Sequence, residues 1–191
     1  MKQVISLLVI VAISLTVADD EEAICPTLVT KQEWGGIKAV HVPYQIIPVP
    51  NVIIHHTVTG ACSTKAECGS IIGNIQNRHM DVLNFDDIGY NFLIGNDGRV
   101  YQGAGWHIEG AHTYRWNKKS IGIAFVGDFS SELPVPSALQ AAKNLIKCGV
   151  ATGEIDQNYK LYGARQLVPT ESPGVDLYRE IKEWDNWSST W

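Results

Sequence analysis

Two adjacent histidines, His55 and His56, stand at the end of the apolar stretch that begins at Val52. Imidazole is the commonest zinc ligand in proteins and the usual general acid or base. Val52–Thr57 is short and rich in β-branched residues, which predicts a buried strand. Because side chains alternate along a strand, the two rings should point to opposite faces of a sheet unless the strand ends or twists there. Taken alone, the pair fits metal binding or catalysis. More commonly, one histidine of such a pair caps a strand and the other lies in the core with its polar atoms hydrogen-bonded.

The rest of the chain supplies elements that would position this strand. Tyr90–Ile94 and Ile121–Val126 are further apolar stretches of strand length, and Asn96-Asp97-Gly98 predicts a hairpin turn after the first of them. Three segments have helical periodicity, with these inward residues: Cys68, Ile72, Ile75 and His79; Ala138, Ala141, Ala142, Leu145 and Ile146; Leu177, Tyr178, Ile181 and Trp184. Strands that alternate with helices predict an α/β fold, a central mixed β-sheet flanked by about three helices.

The first 18 residues have the pattern of a signal peptide. Lys2 is followed by an apolar stretch and by the small-residue site Thr16-Val17-Ala18. The apolar stretch is about 14 residues long, shorter than the roughly 20 that a membrane-spanning helix needs. The sequence therefore predicts a secreted protein with no membrane anchor. The net charge of −5 and the lack of a basic stripe argue against nucleic acid as a partner.

Residues 19–50 are predicted to form an extended arm that wraps the domain. The segment is polar at first and is then punctuated by four prolines, with Trp34 as a large apolar anchor. Residues 51–191 would form the single globular domain. Near its end, Asn186-Trp187-Ser188 matches the N-glycosylation sequon.

The four cysteines indicate two disulfides in a secreted chain, with three pairings open from the count alone. Cys62 and Cys68 are close in sequence and can pair locally. Cys25 and Cys148 would then tie the arm to a late helix. Zinc binding by these cysteines is disfavoured because no Cys-x2-Cys pair occurs.

Four motifs together resemble the peptidoglycan recognition proteins, a family related to phage-type zinc amidases. The motifs occur in the family's order: Val52–Thr57, Asp87–Gly95, Gly110-Ala111-His112-Thr113 and Ser172-Pro173-Gly174. The resemblance extends from about Cys25 to Trp187 and is greatest for the short, secreted insect type that activates the Toll pathway. It implies a zinc-amidase-like fold and a peptidoglycan ligand.

The resemblance also implies where catalytic zinc would bind in an amidase member. Such members use a histidine on the first strand, a second histidine and a late cysteine, with an assisting tyrosine. The matching positions here hold His55, Ala164, Ser172 and Tyr90, in that order. Catalytic zinc needs three protein ligands and an open position for water. Since two of the three ligands are missing, we expect no metal cofactor and no amidase activity.

A ligand-binding cleft remains, and the resemblance assigns its lining. The matching positions are His55, His56, Thr57, His79, Asn84, Phe85, Tyr90, Trp106 and His112. Aromatic rings suit sugar faces, and imidazole, hydroxyl and amide groups suit peptide carbonyls. In the family, Asn-Phe at the position of Asn84-Phe85 accompanies a preference for lysine-type peptidoglycan. The expected partners are bacterial peptidoglycan and secreted immune proteins, although each of these residues singly also fits a structural role.

Besides an N-acetylmuramoyl-L-alanine amidase, which the missing ligands disfavour, two alternatives stay open at this point. The first is residual hydrolysis, in which the hydroxyl of Thr170 or Ser172 acts as a nucleophile in a weak, zinc-independent peptidase on stem peptides. No Gly-x-Ser-x-Gly elbow supports it. The second is a regulatory module that binds a protein partner and no glycan.

Overall fold

The structure, a computed structural model, describes residues 25–190, and the predicted signal peptide lies outside that range. One six-stranded sheet forms the centre of the fold. Its strands are β1 (Leu28–Val29), β2 (Val49–His56), β3 (Phe92–Ile94), β4 (Val100–Gln102), β5 (Ser120–Phe125) and β6 (Ile155–Gly163). Their order across the sheet is β1-β4-β3-β5-β2-β6, with β3 and β4 antiparallel and the other neighbours parallel. The predicted mixed sheet is confirmed.

Three α-helices cover the sheet, as predicted: α1 (Lys65–Asn77), α2 (Pro136–Ala151) and α3 (Val175–Ile181). Thr64 caps α1, because its hydroxyl accepts a hydrogen bond from the amide of Glu67. A π-helical turn, Arg78–Val82, continues α1 toward the sheet edge. Within residues 25–190, none of the helices combines the length and apolarity that a bilayer crossing requires.

The sheet separates two hydrophobic cores. On one face, α2 and α3 pack on alternate strand residues such as Ile54, Phe92 and Ile123. On the other face, α1 and Trp34 pack on Leu93, Ala124 and their neighbours. This alternation places the side chain of His55 on the α1 face, because Ile54 faces the other core. The candidate site therefore belongs to the α1 face.

The described part of the N-terminal arm, residues 25–50, is part of the same body. Leu28–Val29 adds a strand beside β4, and the ring nitrogen of the buried Trp34 donates a 2.8 Å hydrogen bond to the carbonyl of Gln102. The predicted anchoring by Trp34 is thus confirmed. Strand β2 begins at Val49, so the boundary placed at residue 51 falls inside a strand and does not separate two structural units.

Both predicted disulfides are present. Cys62 and Cys68 close a six-residue separation at the start of α1, and Cys25 and Cys148 join the arm to α2. The second bond closes a loop of 123 residues. By chain entropy, a loop of that length is worth about 4–5 kcal/mol.

Candidate ligand-binding cleft

Five aromatic side chains form a continuous ring cluster on the α1 face. The ring centres of His55 and Tyr90 are 5.4 Å apart, and His79 lies 5.7 Å from Tyr90 and 5.4 Å from Phe85. His112 completes the cluster at 5.4 Å from His55. Tilted and edge-on rings at these spacings are favourable contacts. The cluster joins the end of β2, the π-helical turn, the segment before β3 and the loop before β5.

The loop that carries His112 is fixed by an unusually close approach to the sheet. The ring of His112 lies flat against Gly122 of β5, where an added Cβ would come within 2.5 Å of the ring. The side-chain oxygen of Asn117 accepts hydrogen bonds from the amides of His112 and Thr113, at 3.1 and 2.7 Å. The sequence did not predict this role of Asn117, since an asparagine in a polar loop has no distinctive pattern.

The side chain of Asn91 holds the preceding glycine-rich loop in place. Asn91 is fully buried, and its side-chain nitrogen donates to the carbonyls of Gly105 and Ile108. Its side-chain oxygen accepts from the amide of Gly122 at 2.9 Å. Because the groups of Asn91 are satisfied by loop and sheet together, the wall of the cleft is tied to β5.

The histidines of the cluster are neutral at physiological pH. Burial, with a smaller contribution from His112, holds the pKa of His55 well below its usual range. Burial lowers the pKa of His112 to about 3. The pKa of His79 is also lowered, chiefly by burial, and its Nδ1 accepts a 2.9 Å hydrogen bond from the amide of Gly89. Burial likewise raises the pKa of Tyr90 to about 12, so the ring cluster carries no charge.

Two predicted cleft residues, His56 and Trp106, are placed elsewhere. The ring of His56 lies on the opposite face, where its Nδ1 accepts a 3.2 Å hydrogen bond from the amide of Phe129. The ring of Trp106 packs 4.4 Å from that of Phe92, in the core under α2. Period-two alternation removes His56 from the cleft, and the path of the glycine-rich loop turns Trp106 away from it. Neither side chain joins the ring cluster.

The other two predicted positions, Thr57 and Asn84, are not members of the ring cluster. Thr57 follows β2, and its hydroxyl accepts a 3.0 Å hydrogen bond from the amide of Gly127. Asn84 is exposed and has a φ of 57°, a left-handed conformation that asparagine tolerates well. Asn84 and Phe85 both line a pocket of about 350 Å³. The structure thus brings together His55, His79, Phe85, Tyr90 and His112, and Asn84 adjoins this cluster through its neighbour Phe85.

The positions matched to the amidase zinc ligands converge, but their chemistry does not suit zinc. Gly163 of β6 pairs with Ile54 of β2, so Ala164 follows in line with His55. Ala164 has no donor atom, and the hydroxyl oxygen of Ser172 accepts a 3.0 Å hydrogen bond from the amide of His56. Across residues 25–190, no cluster of three histidine, cysteine or carboxylate side chains is placed to hold a metal ion. A hydroxyl occupied in this way is a poor substitute for a thiolate.

The chain matches known proteins over most of its length. The sequence profile of the N-acetylmuramoyl-L-alanine amidase family matches residues 46–175. Peptidoglycan-recognition protein 2 of Holotrichia diomphalia is 52% identical over 175 residues, which are 92% of this chain and 92% of that protein. The solved structure of Drosophila PGRP-SA has a TM-score of 0.86 at 51% identity, covering 87% of this chain and 96% of that one.

A third match comes from a complex. The solved structure of tracheal cytotoxin bound to the ectodomain complex of PGRP-LCa and PGRP-LCx has a TM-score of 0.83 at 44% identity. The match covers 84% of this chain and 98% of that chain. Fold and profile first define an N-acetylmuramoyl-L-alanine amidase-like domain. Within that class, the chain belongs to the peptidoglycan-recognition proteins, and it is similar to PGRP-SA.

Replacing Ser172 with alanine tests whether this hydroxyl is structural or nucleophilic. Its oxygen is held by the amide of His56, and no hydrogen bond among residues 25–190 joins it to an imidazole. We expect Ser172→Ala to lose about 1–2 kcal/mol of unfolding free energy, because a buried N–H loses its partner. Hydrolysis of tetrapeptide stems in the presence of EDTA should equal that of the unchanged protein. Cleavage that is lost only in the variant would make Ser172 a nucleophile.

Thr170 serves as the matched control for that experiment. Its exposed hydroxyl accepts a 3.2 Å hydrogen bond from the amide of Ser172. Because this bond lies at the surface, Thr170→Ala should change unfolding free energy by less than about 0.5 kcal/mol. A parallel loss of hydrolysis in this variant would implicate the late loop as a catalytic element.

Proposed function

We propose that this protein is a secreted receptor that binds bacterial peptidoglycan and does not hydrolyse it as a zinc amidase. The observation that carries the proposal is the uncharged ring cluster around His55, which lies at the position where an amidase would hold its metal. Rings of this kind suit the apolar faces of sugars and stem side chains, and their polar atoms suit peptide carbonyls. Relatives that are seen with tracheal cytotoxin, a peptidoglycan fragment, support the same ligand class.

Sedimentation with insoluble peptidoglycan tests this proposal directly. We expect the protein to bind, and Phe85→Ala to bind about tenfold more weakly because one ring of the cluster is lost. Lys147→Ala is a matched control, since Lys147 lines a groove on the α2 side of the sheet. Equal retention of all three proteins, or of none, would contradict the cleft. Failure to bind peptidoglycan at all would favour a regulatory module.

We further infer a preference for lysine-type peptidoglycan. Diaminopimelate-type stems carry one additional carboxylate, which a receptor must meet with a cation or with fixed donors. The pocket lined by Asn84 and Phe85 also contains His41 and the acidic residues Asp86 and Glu109, and its Asp87 is paired with Lys31. The two carboxylates left unpaired in this pocket would disfavour the additional carboxylate of a stem bound there.

Calorimetry with the two muramyl tripeptides checks this preference. The lysine form should bind about tenfold more tightly than the diaminopimelate form. Asp86→Asn combined with Glu109→Gln should reduce the difference to a few-fold, because the opposing charges are removed. Tighter binding of the diaminopimelate form by the unchanged protein would refute the inference.

The receptor would act through a protein partner in a Toll-type response. An extended stretch of the arm supports such a partner, because its alternate side chains Val40, Tyr44 and Ile46 are 80%, 81% and 88% exposed. Apolar side chains grouped in this way are typical of protein-binding surfaces. The stretch pairs with the glycine-rich loop through Tyr44 and Ile108, so it is fixed next to the cleft wall.

A further inference from the structure

A single hydroxyl group joins two histidines of the ring cluster. Oγ1 of Thr113 lies 3.1 Å from Nε2 of His55 and 2.9 Å from Nδ1 of His112. Thr113 is 1% exposed and His55 is 5% exposed, so water does not compete effectively for these bonds. Family resemblance placed His55 and His112 in the cleft but gave no role to the threonine between them.

Counting protons and acceptors restricts these three hydrogen-bonded side chains to two arrangements, because a hydroxyl that accepted from both rings would leave its own buried O–H without an acceptor among the described residues. A neutral imidazole has one N–H, and a hydroxyl has one O–H. If Thr113 donates to one ring, the other ring must donate to Thr113. The two rings therefore share one tautomeric form: both carry the proton on Nδ1, or both carry it on Nε2. Both rings are neutral, as the count requires, because His55 is buried and because an imidazolium at His112 would place a second N–H on its sealed, unpartnered Nε2.

The far nitrogen of His112 selects between the two arrangements. Nε2 of His112 is sealed from solvent and has no hydrogen-bond partner among the described residues. A buried N–H without an acceptor is rarer in folded proteins than an acceptor without a donor. Nε2 of His112 is therefore the unprotonated nitrogen. It follows that His112 donates from Nδ1 to Thr113, that Thr113 donates to Nε2 of His55, and that His55 carries its proton on Nδ1.

The remaining proton faces the cleft. Nδ1 of His55 makes no hydrogen bond within residues 25–190, and it is not among the side-chain atoms sealed from solvent. We propose that Thr113 is a positioning residue that fixes His55 as a hydrogen-bond donor toward a carbonyl or carboxylate oxygen of the bound muramyl peptide. The identity of that ligand rests on the proposed function, whereas the tautomeric setting rests on the geometry of the three side chains.

Ring-nitrogen NMR of the protein labelled with ¹⁵N-histidine tests the tautomers of His55 and His112 without any ligand. We expect both His55 and His112 to carry the proton on Nδ1 in the unchanged protein and in Thr113→Ser, which keeps the hydroxyl. Thr113→Val removes the hydroxyl, so the two rings should no longer share one form. Protons on Nε2 in the unchanged protein, or a Thr113→Ser spectrum like that of Thr113→Val, would overturn the proposal.

Titration with a lysine-type muramyl tripeptide tests the consequence for binding. Thr113→Val should bind on the order of tenfold more weakly, and Thr113→Ser within about threefold of the unchanged protein. Ligand addition should shift the Nδ1–H signal of His55 more than that of His112, which stays on Thr113. Equal binding by both variants would overturn the donor role. If the unchanged protein has the expected tautomers but binds no muramyl peptide, the proposed function fails while the setting by Thr113 stands.

Discussion

Changing Ala164 to histidine and Ser172 to cysteine together should give a protein that holds one zinc ion per chain, whereas the unchanged protein holds none. The physical reason is the ligand count. His55 is already present, Ala164 directly follows the β6 residue that pairs with Ile54, and the hydroxyl of Ser172 is hydrogen-bonded to the amide of His56. The two substitutions would complete a set of three protein ligands with the fourth position open. Zinc affinity should rise with pH, because the thiol and imidazoles must lose protons to bind.

Metal analysis after dialysis measures this outcome, and the two single variants are its matched controls. Each single variant supplies two ligands and should retain far less than one equivalent of zinc. Amidase activity of the double variant is expected to stay low, because groups that orient the ligands have not been rebuilt. In the present chain, His55 already has an orienting partner, because its Nε2 is hydrogen-bonded to the hydroxyl of Thr113. Stoichiometric zinc on the unchanged protein would contradict the receptor proposal, and none on the double variant would mean that the late loop is misaligned.

The elements of the fold were largely predictable because each has a strong local pattern. The apolar stretches of β2 and β5 lie in the interior of a parallel sheet, where both faces are buried, and so they lack polar interruptions. The inward face of α2 repeats at helical spacing. The pairing of the cysteines was predictable for a different reason. Cys62 and Cys68 are close enough in sequence to pair locally, which leaves Cys25 and Cys148 to pair with each other.

The composition of the cleft was less predictable, because it depends on where loops turn. Trp106 belongs to a glycine-rich loop whose path follows from the buried hydrogen bonds of Asn91, and no local periodicity describes such a path. Thr113 was visible in the motif beside His112, but its hydroxyl meets His55 across 58 positions of sequence. A hydroxyl next to a histidine in a cleft loop is the signal that could have drawn attention to it.

The stability of this protein should fall steeply as the pH drops from about 7 to 5. His55, His56, His79 and His112 all have lowered pKa values, with burial as the largest cause in each case. In the unfolded chain these rings take up protons near pH 6.5, whereas in the folded protein they stay neutral to lower pH. The unfolded state then binds more protons, so stability is complete above about pH 6.5 and is lost as the pH falls toward the folded pKa values.

Each histidine that stays neutral in the folded state costs about 1.4 kcal/mol of unfolding free energy per pH unit below pH 6.5. His55 and His112 together should account for about 3–4 kcal/mol at pH 5, a large share of the 5–15 kcal/mol typical of a domain. Urea unfolding at pH 7.5, 6 and 5 measures this loss. His79→Gln keeps an acceptor for the amide of Gly89 and should make the loss of stability with falling pH smaller by the share of one histidine. His41→Gln, at an exposed position, should leave the pH profile unchanged. A flat profile between pH 7 and 5 would show that the ring cluster takes up protons without unfolding, and the neutral cleft inferred here would be wrong.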